Sequence, residues 1–238
     1  MTFKKLSVLS LFALLITFAF TTTVAAQRPD GDLSNKNWRV FNINPDVPKL
    51  WDINQAQSLS TGGVAFTFNQ VSSGWYTVYL NTNFGQLTGK DHITALSSWT
   101  PSAQYINRSG TPGDAYFRLY FQSAQGNYNS NDYWWSTDSC NLNDLTAASG
   151  CNLTVSLNDR AHWTNLCGQS AADPIPQPGP NCVGGIDPAV SPYDGFDKAK
   201  RNVKDIGLSF GRASRYASGV AFDGIGSASF QLNSFGVF

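Results

Sequence analysis

The residues of this sequence best suited to chemistry form an aromatic and amide cluster at Asn127–Trp135. Sugar rings present apolar C–H faces that stack on indole and phenol rings, while amides and carboxylates hydrogen-bond the hydroxyl groups. A segment that mixes Tyr, Trp, Asn and Asp is therefore suited to contact a glycan. The candidate ligand contacts are Tyr128, Asn131, Asp132, Tyr133, Trp134, Trp135 and Trp163.

Two of these candidates, Trp134 and Trp135, are adjacent. Neighbouring side chains on a strand point to opposite faces, so we expect at least one of the two indoles to lie in the core. Trp75, Tyr76 and Tyr79 form a second aromatic group that poses the same choice between core and ligand.

Catalysis has weaker support. All 16 acidic residues are Asp, which excludes mechanisms that need a Glu nucleophile, general acid or metal ligand. For a hydrolase, the one acidic pair whose setting indicates a cleft is Asp132 and Asp138, which flank the aromatic cluster. A lyase would use His92 or His162 as a partner. The Gly-x-Ser-x-Gly motif of hydrolases is absent. We assign no catalytic residue, and the composition favours binding over turnover.

A structural Ca²⁺ is a further expectation, because hard cations take carboxylate and carbonyl oxygens. Such oxygens would come from four residues at irregular spacing: Asp138, Asn141, Asn143 and Asp144. The same residues are also ordinary turn formers, and as such they need no metal.

Four cysteines, Cys140, Cys151, Cys167 and Cys182, indicate two disulfides in an oxidising compartment. Sequential pairing, Cys140–Cys151 and Cys167–Cys182, closes two short loops and is favoured over the crossed and nested alternatives. A metal site is less favoured, since no CxxC spacing is present.

The first 26 residues have the pattern of a secretory signal peptide. Lys4 and Lys5 precede the apolar run Leu6–Phe20, and Val24-Ala25-Ala26 supplies small residues at a cleavage site. An uncleaved anchor is the alternative. We therefore expect a secreted protein (extracellular or periplasmic) that has no membrane partner after cleavage. Cleavage leaves 14 cationic against 16 acidic residues, and a chain with this charge balance has no basic surface for nucleic acid.

The mature chain, residues 27–238, is predicted to form one antiparallel β-sandwich of jelly-roll type, all-β, with long disulfide-stapled loops and at most one short helix. Short runs with period-2 alternation recur between Gly/Asn/Ser/Pro turns. The helix is expected near Phe196–Val203. The Pro-rich segment Ala171–Pro180 belongs to a surface loop at about residues 167–193, with an interdomain linker as the alternative. The predicted strands are Trp38–Ile43, Val64–Asn69, Trp75–Leu80, His92–Leu96, Ala115–Phe121, Asn152–Leu157, Asp205–Phe210, Gly219–Phe222 and Ser227–Phe238.

The C-terminal segments Val203–Arg212, Ala217–Ala221 and Gly226–Val237 resemble the end of jelly-roll carbohydrate-binding modules, which are similar to galactose-binding-like sandwiches. The resemblance extends over about residues 35–238. It implies secretion and binding of polysaccharide or glycoconjugate, often with a structural Ca²⁺. Two other hypotheses stay open: a structural or adhesive extracellular protein without a small ligand, and a polysaccharide hydrolase or lyase on the same scaffold.

Overall fold

Two antiparallel sheets pack face to face in the computed structural model, which describes residues 37–47, 50–100, 104–124, 129–144, 150–175, 190–214 and 216–238. The strands are β1 Arg39–Ile43, β2 Trp51–Gln55, β3 Gln57–Ser58, β4 Val64–Thr67, β5 Tyr76–Asn83, β6 His92–Trp99, β7 Gln104–Asn107, β8 Tyr116–Ser123, β9 Tyr133–Ser136, β10 Cys140–Asn141, β11 Cys151–Ser156, β12 Trp163–Asn165, β13 Val203–Gly211, β14 Val220–Asp223 and β15 Ser229–Val237.

The larger sheet has the order β12–β9–β8–β13–β5–β1–β2, with β10 beside β8, and β14 beside β5 and β7. The smaller sheet has the order β11–β6–β15–β4–β3. Successive strands pass repeatedly from one sheet to the other, as in jelly-roll sandwiches. The all-β sandwich predicted from the alternating runs is confirmed.

Interlocking phenylalanines hold the two sheets together. The ring of Phe230, from the smaller sheet, lies 5.2 Å from Phe117 and 5.3 Å from Phe210, both of which belong to the larger sheet. All three are fully buried. Burial of each such ring contributes roughly 1.5–3 kcal/mol, so the alternating apolar positions of the sequence are what close the sandwich.

A ten-residue helix, α1 Pro192–Arg201, covers the inner side of β8 and β9. It begins where Ser191 Oγ accepts the Asp194 N–H and proline occupies the first turn, an ordinary N-terminal signal. Its Phe196 ring packs 5.1 Å from the Trp134 ring. The expected helix is present and is the one α-helix of the described residues, and it covers Pro192–Arg201 instead of Phe196–Val203.

The disulfide Cys140–Cys151 is present as predicted. It joins β10 of the larger sheet to β11 of the smaller one. Cys167 is also disulfide-bonded, and its expected partner, Cys182, lies outside the described residues. The signal peptide at 1–26 and most of the predicted 167–193 loop lie outside them as well.

Several strands were not predicted, among them β2 and β7. All five residues of β2 are exposed at the edge of the larger sheet. Trp51-Asp52-Ile53-Asn54 alternates apolar and polar residues, a short period-2 pattern that the strand prediction did not include. Within the described residues, no helix is both long and apolar enough to cross a lipid bilayer.

Candidate functional site

The predicted cluster begins with a short 3-10 turn, Ser130–Asp132, and continues into β9. Asp132 closes the turn: its Oδ2 accepts the Asn129 N–H at 3.0 Å and its Oδ1 accepts the Ser123 hydroxyl at 2.8 Å. The candidate ligand contacts Asn131 and Asp132 are both buried. They support the fold locally instead of projecting toward solvent.

Asn131 joins three parts of the chain. Its Nδ2 donates to Val190 O at 3.2 Å, and its Oδ1 accepts from Asn165 Nδ2 at 3.0 Å. The helix approaches it so closely that a Cβ on Gly195 would lie 2.5 Å from Asn131 Cγ. Asn131 therefore holds the helix in place, and its amide group is engaged in these hydrogen bonds.

Two of the three predicted tryptophans lie in the interior. Trp134 and Trp163 have no exposed surface, and their indole N–H groups donate to Asn131 O at 2.8 Å and Ser156 O at 2.7 Å. The structure gives both a packing role in place of the ligand contact that the sequence predicts. Tyr128 lies outside the described residues.

Tyr133 and Trp135 point the other way, to the side of the larger sheet that is turned away from the smaller sheet. We call this side the outer face. The strand register places it: Trp135 lies opposite Tyr120, Tyr120 opposite Gly207, and Gly207 opposite Asn81. Directly paired side chains share a face. The intervening residues, such as Leu119, belong to the core.

Aromatic rings follow one another across this face. Tyr133 stacks on Trp135 at 5.9 Å, Trp135 lies 6.2 Å from Tyr216, and Tyr120 lies 4.6 Å from Tyr79. Trp135 and Tyr120 are buried beneath their neighbours, whereas Tyr133, Tyr79 and Tyr216 keep part of their surface accessible. The outer face thus has an aromatic floor with half-exposed tyrosines around it.

Polar groups interleave with the rings. Asn81 Nδ2 donates to the Tyr120 hydroxyl, and Gln122 Nε2 donates to the Tyr133 hydroxyl at 3.0 Å. Three buried polar atoms of this face have no hydrogen-bond partner in the described residues: Trp135 Nε1, Asn81 Oδ1 and Arg118 Nε. Buried polar groups are nearly always satisfied in native proteins, so these three atoms are exceptions within the outer face.

The charged groups of the outer face are held in place. Arg39 Nη2 contacts Asp205 Oδ1 at 2.7 Å and Asn83 Oδ1 at 2.6 Å. Burial raises the pKa of Asp205, and the neighbouring charges of Arg39 and Lys204 oppose this rise. The arginine and the carboxylate together form a polar corner beside the aromatic rows.

Burial also acts on the other ionisable groups here. It raises the pKa of Tyr79 and of Tyr120, each further raised by a neighbouring tyrosine, so both hydroxyls stay protonated near neutral pH. Burial lowers the pKa of Arg118, opposed by Tyr216, Tyr116 and Asp114. An arginine nevertheless stays charged under these conditions, and this one lies 4.3 Å above the Tyr216 ring.

Three of the residues proposed for Ca²⁺, Asp138, Asn141 and Asn143, have protein partners in the structure. Asn141 Oδ1 accepts the Asn143 N–H at 2.8 Å, and Asn143 Oδ1 accepts the Tyr105 N–H at 2.7 Å. Asp138 Oδ2 lies 2.7 Å from His162 Nδ1. In the parts of the chain that the structure describes, no three His, Cys or acidic residues are grouped to hold a metal ion. Calcium binding by this segment stays a prediction.

Sequence reasoning missed most of the outer face, including Asn81, Arg118, Tyr120 and Gln122. Tyr79 was considered only within a separate aromatic group. These residues come from strands that are far apart in the chain, and only the pairing of β9, β8, β13 and β5 brings them together. One local signal exists: Tyr116-Phe-Arg-Leu-Tyr-Phe-Gln is aromatic or apolar at both alternating sets of positions, which indicates a strand covered on both sides.

Comparisons with known proteins leave the family open. No protein-family model and no curated protein match this sequence. Among solved structures, a mutant of Xylanase10C from Cellvibrio japonicus in complex with xylopentaose is similar over 82% of this chain, at 12% identity and a TM-score of 0.32. The chain spans 27% of that structure's length. A similarity this low establishes neither a shared fold nor a shared function.

Proposed function

We propose that this protein is a secreted, non-catalytic carbohydrate-binding protein that recognises polysaccharide or glycoconjugate on the outer face of its larger sheet. In fold and ligand class it would be a counterpart of the jelly-roll carbohydrate-binding modules that its C-terminal strands resemble. The proposed contacts are the half-exposed rings of Tyr133, Tyr79 and Tyr216, with Trp135 and Tyr120 as the floor beneath them.

One observation carries the proposal: aromatic side chains occupy the outer face, where an antiparallel sheet normally presents polar residues to water. Tyr133, Trp135, Tyr120 and Tyr79 all lie there. Strands are about 4.8 Å apart, so the row from β9 to β5 extends about 14 Å, enough for a chain of several sugar residues. Rings arranged in this way stack on sugar C–H faces.

The polar groups support the same ligand class. The tyrosine hydroxyls and the Gln122 amide supply donors and acceptors between the rings. A glycan needs this combination, because each sugar offers an apolar face edged by hydroxyl groups.

The test is retention of residues 27–238 on a glycan array and on insoluble polysaccharides, with Tyr133→Ala as the key variant. Loss of one stacked ring is worth about 0.5–1.5 kcal/mol by analogy with aromatic pairs, so we expect the dissociation constant to rise by roughly threefold to tenfold. Tyr193→Ala is the matched control, since Tyr193 is an exposed tyrosine on the helix, away from the outer face.

Unchanged affinity of the Tyr133→Ala variant for every retained polysaccharide would rule out this face as the binding site. Equal weakening by Tyr133→Ala and Tyr193→Ala would indicate loss of fold or non-specific adsorption. A thermal unfolding scan of both variants distinguishes these two explanations.

The alternative of a structural or adhesive protein is favoured by a different observation. The β1–β2 hairpin exposes Val47, Leu50, Trp51 and Ile53, the last with 53% of its surface accessible. Grouped apolar side chains of this kind mark contact surfaces. If Trp51→Ala removes self-association or surface adhesion while no glycan is retained, this alternative replaces carbohydrate binding.

Among the described residues, the two aspartates considered for catalysis do not form a catalytic pair. Both carboxylate oxygens of Asp132 accept hydrogen bonds from its own turn and from Ser123, and Asp138 pairs with His162 at the surface. A reducing-sugar or unsaturated-product assay tests this hypothesis directly, and turnover abolished by Asp132→Ala in a variant that keeps the parent's thermal unfolding temperature would establish it.

A further inference from the structure

A small cavity of about 240 Å³ opens beside the outer face, lined by Arg108, Ser109, Arg212, Ala217 and Ser218. Arg108 and Ser109 belong to the turn between β7 and β8, and the other residues belong to the connection between β13 and β14. The wall is therefore made from two separate loops that meet at one corner of the larger sheet.

Two arginines, Arg108 and Arg212, line this cavity without carboxylate partners in the described residues. In the described residues, neither Arg108 nor Arg212 has an acidic oxygen within 4.0 Å; the ion-paired arginines there are Arg39 and Arg160. The carboxylate of this corner, Asp114, accepts the Ala213 N–H at 2.8 Å and the Asn107 amide at 3.1 Å. Two like charges around one cavity repel each other, and an anion between them relieves the repulsion.

The polar atoms of the wall are oriented as donors. Ser109 Oγ accepts from Arg212 Nη1 at 2.9 Å, and Ser218 Oγ accepts the Arg212 N–H at 3.2 Å. Each hydroxyl keeps its own proton to donate. Arg212 Nε is buried and has no hydrogen-bond partner in the described part of the chain. A cavity with arginine and hydroxyl donors fits an oxyanion.

The cavity adjoins the aromatic rows through a single loop. Tyr216, whose ring packs on Trp135 and under Arg118, directly precedes Ala217 and Ser218 of the cavity wall. Arg118 donates to the Arg212 and Ala213 carbonyls at 3.4 and 3.3 Å, which fixes this loop against β8. A charged substituent of a sugar that stacks on the Tyr216 ring would therefore reach the cavity.

We infer that the polysaccharide recognised by this protein is anionic, and that Arg108 and Arg212 bind the oxyanion of one of its sugars, a sulfate ester or a uronate carboxylate. This inference rests on the proposed carbohydrate-binding function and specifies the class of ligand. Arg108 and Arg212 supply the charge, and Ser109 and Ser218 supply neutral donors that complete the site.

The experiment compares matched polymers: dextran sulfate with dextran, and polygalacturonate with its methyl ester. We expect the charged member of one pair to bind at least tenfold more tightly, and the pair that shows the preference identifies the anion. Arg108→Gln, at an exposed position, should reduce that preference about tenfold, whereas Arg212→Lys should reduce it less because it retains the charge.

Arg201→Gln is the charge-matched control, since it removes an exposed arginine from the helix. A separate arm uses inorganic sulfate, whose binding to the protein and to Arg108→Gln is followed by NMR titration. Sulfate should shift resonances of the 107–110 and 212–218 loops in the unmodified protein, and the Arg108→Gln variant should lose these shifts.

Three results would overturn the inference. If neutral and charged polymers bind equally and the arginine variants have no effect, the inference fails while carbohydrate binding stands. If Arg201→Gln weakens binding as much as Arg108→Gln, the attraction is non-specific charge. If no polymer of either kind is retained, carbohydrate binding and the anionic class fail together, whatever the sulfate titration shows.

Discussion

At the scale of single residues, neighbouring positions of one strand have unrelated roles. Tyr133 and Trp135 face outward, whereas Trp134 between them is sealed under the helix. Residue type alone does not distinguish these roles, because an indole ring packs in a hydrophobic core as readily as it stacks on a sugar ring. The direction of the side chain decides, and strand geometry fixes that direction.

The Arg160–Asp197 pair, which anchors the helix, provides a pH-dependent prediction at this scale. Burial raises the pKa of Asp197, but the hydrogen bond from Arg160 and the charges of Arg160 and Lys200 together lower it below its ordinary value. A carboxyl with a lowered folded-state pKa stabilises the protein above its unfolded pKa and loses this effect as pH falls through the folded pKa.

We therefore expect Asp197→Asn to reduce the free energy of unfolding by about 0.5–1 kcal/mol at pH 7. The difference should vanish near pH 2, where the carboxyl is protonated in both states. Urea denaturation at both pH values measures it. Asp223→Asn, at an exposed position outside any ion pair in the described residues, is the control, and a difference that persists at pH 2 contradicts the assignment.

At the scale of elements, close approach of β13 and β5 brings the outer face together. A Cβ on Gly207 would lie 2.1 Å from Leu80 O and 2.8 Å from Asn81 Cα. Gly207 lies between Tyr120 and Asn81 in the pairing, and the hydrogen bond from Asn81 to the Tyr120 hydroxyl runs across it. The glycine thus sets the spacing of the two strands that carry these groups.

Gly207→Ala should therefore destabilise the protein by about 1–3 kcal/mol, as overpacking does, and should weaken glycan retention along with it. Gly85→Ala is the control, since nothing lies within 4 Å of a Cβ at that position. Chemical denaturation of the two variants is the measurement. Equal stability of both would mean that the strands separate at no cost.

At the scale of the whole molecule, the disulfide Cys140–Cys151 links the two sheets of the sandwich. The two cysteines are 11 residues apart in the sequence, and a disulfide that closes a loop of this size stabilises the folded protein by about 2–4 kcal/mol. The bond also bounds segment 141–150, which is rich in small and polar residues. The link is expected to matter more for stability than for binding.

The variant Cys140→Ala/Cys151→Ala should lower the free energy of unfolding by about 2–4 kcal/mol and leave glycan affinity within twofold, because the bond lies outside the proposed contacts. Equilibrium denaturation and the retention assay give the two readouts. Treatment of the double variant with a reductant then isolates the contribution of the Cys167 disulfide. A double variant as stable as the parent would show that the two sheets need no covalent link.

The sequence by itself determined the class of fold, nine of the strands and the approximate position of the helix, and it favoured the Cys140–Cys151 pair over the alternative pairings. These follow from local signals: period-2 alternation, turn residues and cysteine spacing act within a few residues of one another. It also named Tyr133 and Trp135 as candidate contacts, which stays a prediction. Only the tertiary structure decided that Trp134 and Trp163 belong to the core, that Asn131 docks the helix, and that Tyr120, Asn81 and Arg118 join the outer face. Those outcomes depend on which strands pair and which side the second sheet covers, and such long-range pairings leave no mark at any one position in the chain.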